Sequence, residues 1–177
     1  LGSALWELGY NNSRLAVLGD NSYHWCLSYY ATACGLGVVV PLDKLLQKDE
    51  LIGLLQRSEC TAIFCDKKSY KVVKEIMDEG NTSLKLAIGM DFAPEGGLCI
   101  HELLDRGKEL VESGYTEYTE APIDPEAMSF LLFTSGTTSA SKAVMLSHSN
   151  IMSVNYSMNL EEEFFPDDVN LMILPLH

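Results

Sequence analysis

The sequence predicts an α/β fold: a mainly parallel sheet flanked by helices, with one antiparallel strand pair that bears a short polar loop. Two observations point there. Short apolar runs alternate with helical patterns at close spacing through residues 14–113, the arrangement of strands joined by crossover helices. The alternation then breaks at residues 127–147, where two apolar runs are joined by one short polar loop. So short a connection permits an antiparallel pair and forbids a parallel crossover.

Taken in order, Leu1, Leu5 and Leu8 repeat at helical spacing, and Gly9 closes that helix. RLAVLGD (14–20) is a strand. Asn21 or Ser22 caps a helix to about Cys34, whose buried face is Trp25, Tyr29 and Ala33 beside Cys26 and Tyr30. GVVVPLD (37–43) is a strand stopped by Pro41, with Asp43 closing the turn. Residues 48–58 form a helix with Asp49 and Glu50 in its first turn, where the dipole favours acids. TAIFCD (61–66) is a strand, then a helix runs to Gly80, with Lys67, Lys68, Lys71 and Lys74 as a solvated basic face. LKLAIGM (84–90) is a strand, residues 101–113 a helix, and 114–125 a polar, turn-rich segment. AMSFLLF (127–133) and AVMLS (143–147) are the antiparallel pair. Ser147 caps a helix to about Leu160, EEE (161–163) marks its solvated end, and NLMILPL (170–176) is a last strand.

A chain of 177 residues suits one domain. Its net charge of −13 argues against nucleic acid or anionic membrane as partners, because no excess of cations is present to neutralise a phosphate backbone. An anionic substrate therefore needs a local device. The five cysteines (Cys26, Cys34, Cys60, Cys65, Cys99) form no CxxC pair and sit mostly in apolar runs, which fits small buried hydrophobes in a reducing cytoplasm and no metal site. The longest apolar stretch, 27–42, is interrupted by Ser28, Thr32, Gly35 and Gly37 and is too short to span a bilayer. The pattern starts inside a helix and stops after an apolar run, so the expectation is part of a larger protein.

The loop is FTSGTTSASKAV, residues 133–144. Of the nine residues from 134 to 142, six carry a hydroxyl and the last is Lys142. One reading is a plain surface hairpin. A Walker A loop fails, since Ser141 replaces the Gly before Lys142, Ala143 replaces the Mg²⁺-binding hydroxyl, and a strand follows where a helix should. A loop between two strands can nevertheless offer backbone N–H groups and hydroxyls to the same oxygens, with Lys142 as the positive partner.

FTSGTTSASKAVMLSHSN resembles the phosphate-binding signature of the adenylate-forming superfamily, which includes acyl-CoA synthetases, luciferases and peptide-synthetase adenylation domains. The usual form is an aromatic, T-S-G-[ST]-T-G-x-P-K-G-V, and then L-S-H-x-N. Phe133, Thr134, Ser135, Gly136, Thr137, Thr138, Lys142, Val144, Leu146, Ser147, His148 and Asn150 match. Ser139, Ser141 and Ala143 depart, standing where the pattern has Gly, Pro and Gly. CGLGVVVPLD resembles the family's small-residue run into a PLD strand. LPLH (174–177) resembles the start of its L-P-L-x-H segment, common in the long-chain fatty-acyl branch, which puts His177 in the substrate or nucleotide neighbourhood.

The resemblance implies a large N-terminal AMP-binding domain, of which residues 1–177 are a part, within an acyl-CoA synthetase-like enzyme. It implies ATP, Mg²⁺ and CoA as cofactors and a carboxylic acid as substrate, with a fatty acid favoured by LPLH. Thr134, Ser135, Gly136, Thr137, Thr138 and Lys142 would hold the phosphates that leave as pyrophosphate. No catalytic residue is assigned within the segment, and no metal ligand. The segment alone is expected to be inactive. Alternatives are an enzyme that loads a carrier protein, a degenerate non-catalytic interaction module, and a homodimer formed through an uncovered surface. His24 reads as a helix residue near the core, His101 as exposed, and His148 as a support for the strand–helix junction.

Overall fold

The computed structural model describes residues 1–134, 141–161, 165–169, 171, 172 and 174–176. Among them the chain forms a seven-stranded sheet in the order β5-β4-β3-β1-β2-β6-β7. The strands are β1 (Ser13–Leu18), β2 (Gly37–Leu42), β3 (Ala62–Cys65), β4 (Leu86–Gly89), β5 (Leu98–Cys99), β6 (Met128–Thr134) and β7 (Lys142–Ser147). All pairs are parallel except β6–β7. The helices are α1 (Gly2–Glu7), α2 (Tyr23–Ala31), α3 (Lys48–Ser58), α4 (Tyr70–Glu79), α5 (Ile100–Glu112) and α6 (His148–Glu161).

Successive strand side chains point to opposite faces, and the two cores divide accordingly. Leu15 and Val17 of β1 join Ala4, Leu5, Trp25 and Leu103, so α1, α2 and α5 cover one face. Ala16 and Leu18 join Leu51, Leu55, Val73 and Ile76, so α3 and α4 cover the other. Burial on both faces explains why β1 and β3 read as continuous apolar runs. The crossovers after β1 and after β3 leave to opposite faces, which places a topological switch between the carboxyl ends of these neighbouring strands. Open α/β sheets bind ligands at such a point.

Local chemistry sets the element ends. Ser22 Oγ accepts from the N–H of Trp25 at 3.1 Å and starts α2. Glu50 Oε2 accepts from the N–H of Gln47 at 3.0 Å at the start of α3. Gly37, at φ 139°, opens β2 where a Cβ would lie 2.3 Å from the Ser13 carbonyl oxygen. Asp43 Oδ1 accepts from the N–H of Leu45 at 2.8 Å and closes the turn after β2, as expected.

Four expectations need correction. Pro41 lies inside β2, opposite Val17, and does not stop it. Tyr30 is 63% exposed, outside the buried face of α2. That face instead takes in Ser28 and Thr32, whose hydroxyls donate back to the carbonyls of His24 and Ser28 at 2.7 and 2.8 Å. Past Ala31 the helix ends in a kink within Thr32–Leu36, where Cys34 and Gly35 leave helical backbone angles. Residues 171, 172 and 174–176 are not in a strand. Their backbone turns instead to Asn21, whose Nδ2 donates to the Leu174 carbonyl at 2.8 Å and whose Oδ1 accepts from the Leu176 N–H at 3.1 Å.

Candidate functional site

The polar loop hangs from the β6–β7 stem. Phe130 and Leu131 of β6 are buried on opposite faces and root the stem in both cores. The antiparallel register pairs Leu132 with Val144, Phe133 with Ala143 and Thr134 with Lys142. Thr134 and Lys142 are exposed. Directly opposed side chains share one face of an antiparallel pair, with Cβ atoms about 5 Å apart. The stem therefore ends on a hydroxyl beside an ammonium, a donor set suited to phosphate oxygens. Of the predicted phosphate-binding residues the structure brings these two together. Ser135, Gly136, Thr137 and Thr138 lie outside the described residues, as do Ser139 and His177.

A residue the sequence reading missed reaches this stem. Arg57, in the last turn of α3, donates from Nη1 to the Ser141 carbonyl oxygen at 2.7 Å. Its guanidinium carbon lies 5.2 Å from the centroid of the Phe133 ring. A cleft of about 410 Å³ opens between the stem and the end of β2, lined by Pro41, Leu42, Leu46, Leu54, Phe133 and Thr134.

A second cleft, of about 490 Å³, sits at the switch point between β1 and β3 and includes Asp20, Ser22, His24, Asp66, Lys68 and Asp91. Asp20 bonds both Lys44 and Lys68, and these lysines hold its carboxyl down to about 2. Asp66 accepts from the N–H groups of Asp20 and Ser69 at 2.9 and 2.8 Å, joining the loops after β1 and β3. Asn21, on the rim, carries the 174–176 segment.

The three described histidines make structural contacts. His148 Nε2 lies 2.9 Å from the Ala33 carbonyl oxygen and its ring meets Phe130 edge-on, tying the start of α6 to the turn after α2. His24 meets exposed His101 at 4.9 Å between ring centroids. Ser147 and Asn150 bond reciprocally, Asn150 Oδ1 accepting from the Ser147 N–H at 3.0 Å and Ser147 Oγ from the Asn150 N–H at 3.3 Å. The matched S-H-x-N run thus builds the β7–α6 junction. Among the described residues, no helix is long and apolar enough to cross a membrane.

A mostly parallel seven-stranded sheet covered by helices on both faces, with one antiparallel edge hairpin, defines an open α/β class of domain. The chain belongs to the AMP-binding enzyme family, whose model matches residues 1–177. It is 30% identical over 197 residues to long-chain-fatty-acid–CoA ligase 5 of Rattus norvegicus, an alignment covering 99% of this chain and 28% of that protein. The fold is similar to that of a long-chain-fatty-acid-CoA ligase from Archaeoglobus fulgidus, with TM-score 0.73 and 21% identity over 89% of this chain and 29% of that one. It is also similar to ATP-bound MatB from Rhodopseudomonas palustris, with TM-score 0.72 and 24% identity over 99% of this chain and 33% of the other. The chain therefore spans about a third or less of the length of these relatives.

Proposed function

We propose that residues 1–177 are part of the large N-terminal AMP-binding domain of an ATP-dependent acid–thiol ligase. In the intact protein a carboxylate oxygen attacks the α-phosphorus of ATP, the bond to the β-phosphate breaks, and pyrophosphate leaves. The thiol of CoA then attacks the acyl carbon and AMP departs. The observation that carries this reading is the Thr134–Lys142 pair at the end of the stem, in a chain of the AMP-binding family. With Ser135, Gly136, Thr137 and Thr138 it would hold the departing phosphates, so the work of the segment is positioning and charge stabilisation. Mg²⁺ would arrive on the ATP phosphates, as magnesium commonly does. The rat relative acts on long-chain fatty acids by name, and MatB was solved with ATP bound. Both support a fatty acid and ATP here.

The segment on its own is expected to be inactive, and a reducing cytoplasm suits its free thiols. Incubating the intact protein with ATP, Mg²⁺, CoA and a panel of carboxylic acids, with mass detection of acyl-AMP and acyl-CoA, tests the proposal. Acyl-AMP without acyl-CoA would favour the alternative in which a carrier protein is the acceptor. Neither product with any acid would favour a degenerate, non-catalytic module.

A second reading rests on α6 and β7. No residue of α6 is buried, and Met145, Met152, Val154, Tyr156, Met158 and Leu160 are exposed. In the chain of residues 1–177 this face would support a homodimer. A concentration-dependent dimer by sedimentation supports that reading, and a monomer at all concentrations contradicts it.

A further inference from the structure

We propose that Arg57 is a positioning residue for the phosphate loop, gripping both legs of its stem so that Lys142 keeps a fixed place opposite Thr134. The inference rests on the reading that the loop binds the phosphates of ATP. The two contacts fall on opposite sides of the loop: the Phe133 ring precedes it on β6, and the Ser141 carbonyl follows it just before β7. One guanidinium therefore ties residues eight positions apart, donating to the carbonyl and lying over the ring. The ladder supports Lys142 on its other side, through the pairing with Thr134.

Ser141 makes such a tie useful. A proline there would fix φ by its own ring, whereas serine leaves the backbone soft at the residue next to the functional lysine. The Arg57 bond ends on the Ser141 carbonyl, which is part of the peptide bond to Lys142. The anchor itself is firm. Arg57 lies on α3, whose Leu51, Leu54 and Leu55 are buried against the sheet. The neighbouring Ser58 carbonyl accepts from Arg14 of β1 at 3.0 Å. Arg57 is exposed and makes no ion pair with a described residue.

The test compares wild type, Arg57→Ala, Arg57→Lys and Lys142→Ala in the intact protein. The readouts are KM for MgATP, kcat and carboxylate KM in pyrophosphate exchange, with amide hydrogen exchange of residues 142–144 measured without nucleotide. Arg57→Ala should raise KM for MgATP roughly five- to tenfold, the net worth of one solvent-exposed hydrogen bond. Carboxylate KM should stay at the wild-type value, and the 142–144 amides should exchange faster while those of α3 do not. Arg57→Lys should recover part of the loss, since an ammonium can reach the carbonyl but presents no flat face to Phe133. Wild-type KM and wild-type amide exchange in Arg57→Ala, with exchange activity lost in Lys142→Ala, would overturn the role of Arg57 and leave the loop reading standing. A general loss, with all amides faster and both KM values raised, would also overturn it. Unchanged activity in Lys142→Ala would overturn the loop reading instead, and amide exchange alone would then decide whether Arg57 holds the stem.

Discussion

Lys68 Nζ lies 2.6 Å from Asp20 Oδ2 and so closes the loop after β3 onto the loop after β1. Lys44, from the loop after β2, bonds the other oxygen. Three parallel strands thus meet at one carboxylate. The two lysines hold Asp20 at about 2, against an ordinary carboxylate value of roughly 4. A group whose folded value is depressed contributes stability that is present above its unfolded value and lost as pH falls toward its folded one. Asp20→Asn should therefore unfold at lower urea than wild type at pH 7. The gap should shrink between about pH 4 and pH 2, as wild type loses the same contribution. The site is exposed and the difference small. Parallel urea midpoints at pH 7, 4 and 2.5 check this, and a gap that stays constant with pH would contradict it.

Tyr118 pins the strap between α5 and β6 to the first two helices. Its hydroxyl donates to the Ala31 carbonyl at 3.0 Å, and its ring fills the space above Gly2. A Cβ on Gly2 would fall 2.1 Å from the ring. Tyr118→Phe should cost about 1 kcal/mol, the worth of one hydrogen bond. Gly2→Ala should cost about 1–3 kcal/mol, as overpacking usually does. Combined with Tyr118→Ala, Gly2→Ala should cost less than it does alone, because the ring it strikes is gone. Chemical denaturation of wild type and the four variants measures this, and strict additivity of Gly2→Ala with Tyr118→Ala would contradict the contact.

The thiols should differ in reactivity. Burial pushes Cys60 up to about 11, and burial with the charges of Asp66 and Asp91 pushes Cys65 up to about 12. Cys34 is exposed. An alkylating reagent at pH 8 should modify Cys34 first and reach Cys60 and Cys65 only on unfolding, since the thiolate is the reactive form. Peptide mass analysis over time follows the order, and early labelling of Cys65 would contradict it.

Much of the architecture was legible because the residues that set it are neighbours in sequence. The bounds of α3 follow from Asp49 and Glu50 at its start and the apolar spacing of Leu51, Leu54 and Leu55. The antiparallel β6–β7 pair follows from the shortness of the loop alone. What escaped depends on distant partners. β5 has two residues and exists only because Ile88 and Gly89 lie beside it. The run 170–176 is apolar enough for a strand, yet its described residues dock on the side chain of Asn21. Helical spacing sets Tyr30 beside Cys26 at the border of the apolar stripe, but Ser28 and Thr32 satisfy their hydroxyls within the helix and are buried, while Tyr30 faces out. Arg57 reaches the site from 84 residues away, and no local pattern signals it. The loop residues Thr134 and Lys142 were found from the motif, and the register sets them opposite each other.

Lys142→Ala in the intact protein, assayed by carboxylate-dependent exchange of labelled pyrophosphate into ATP, tests the proposed role of the loop most directly. Loss of one charged group that stabilises the departing phosphates should lower exchange on the order of a hundredfold, with the urea midpoint unchanged because the side chain is exposed. Exchange at the wild-type rate in a folded Lys142→Ala protein would contradict it.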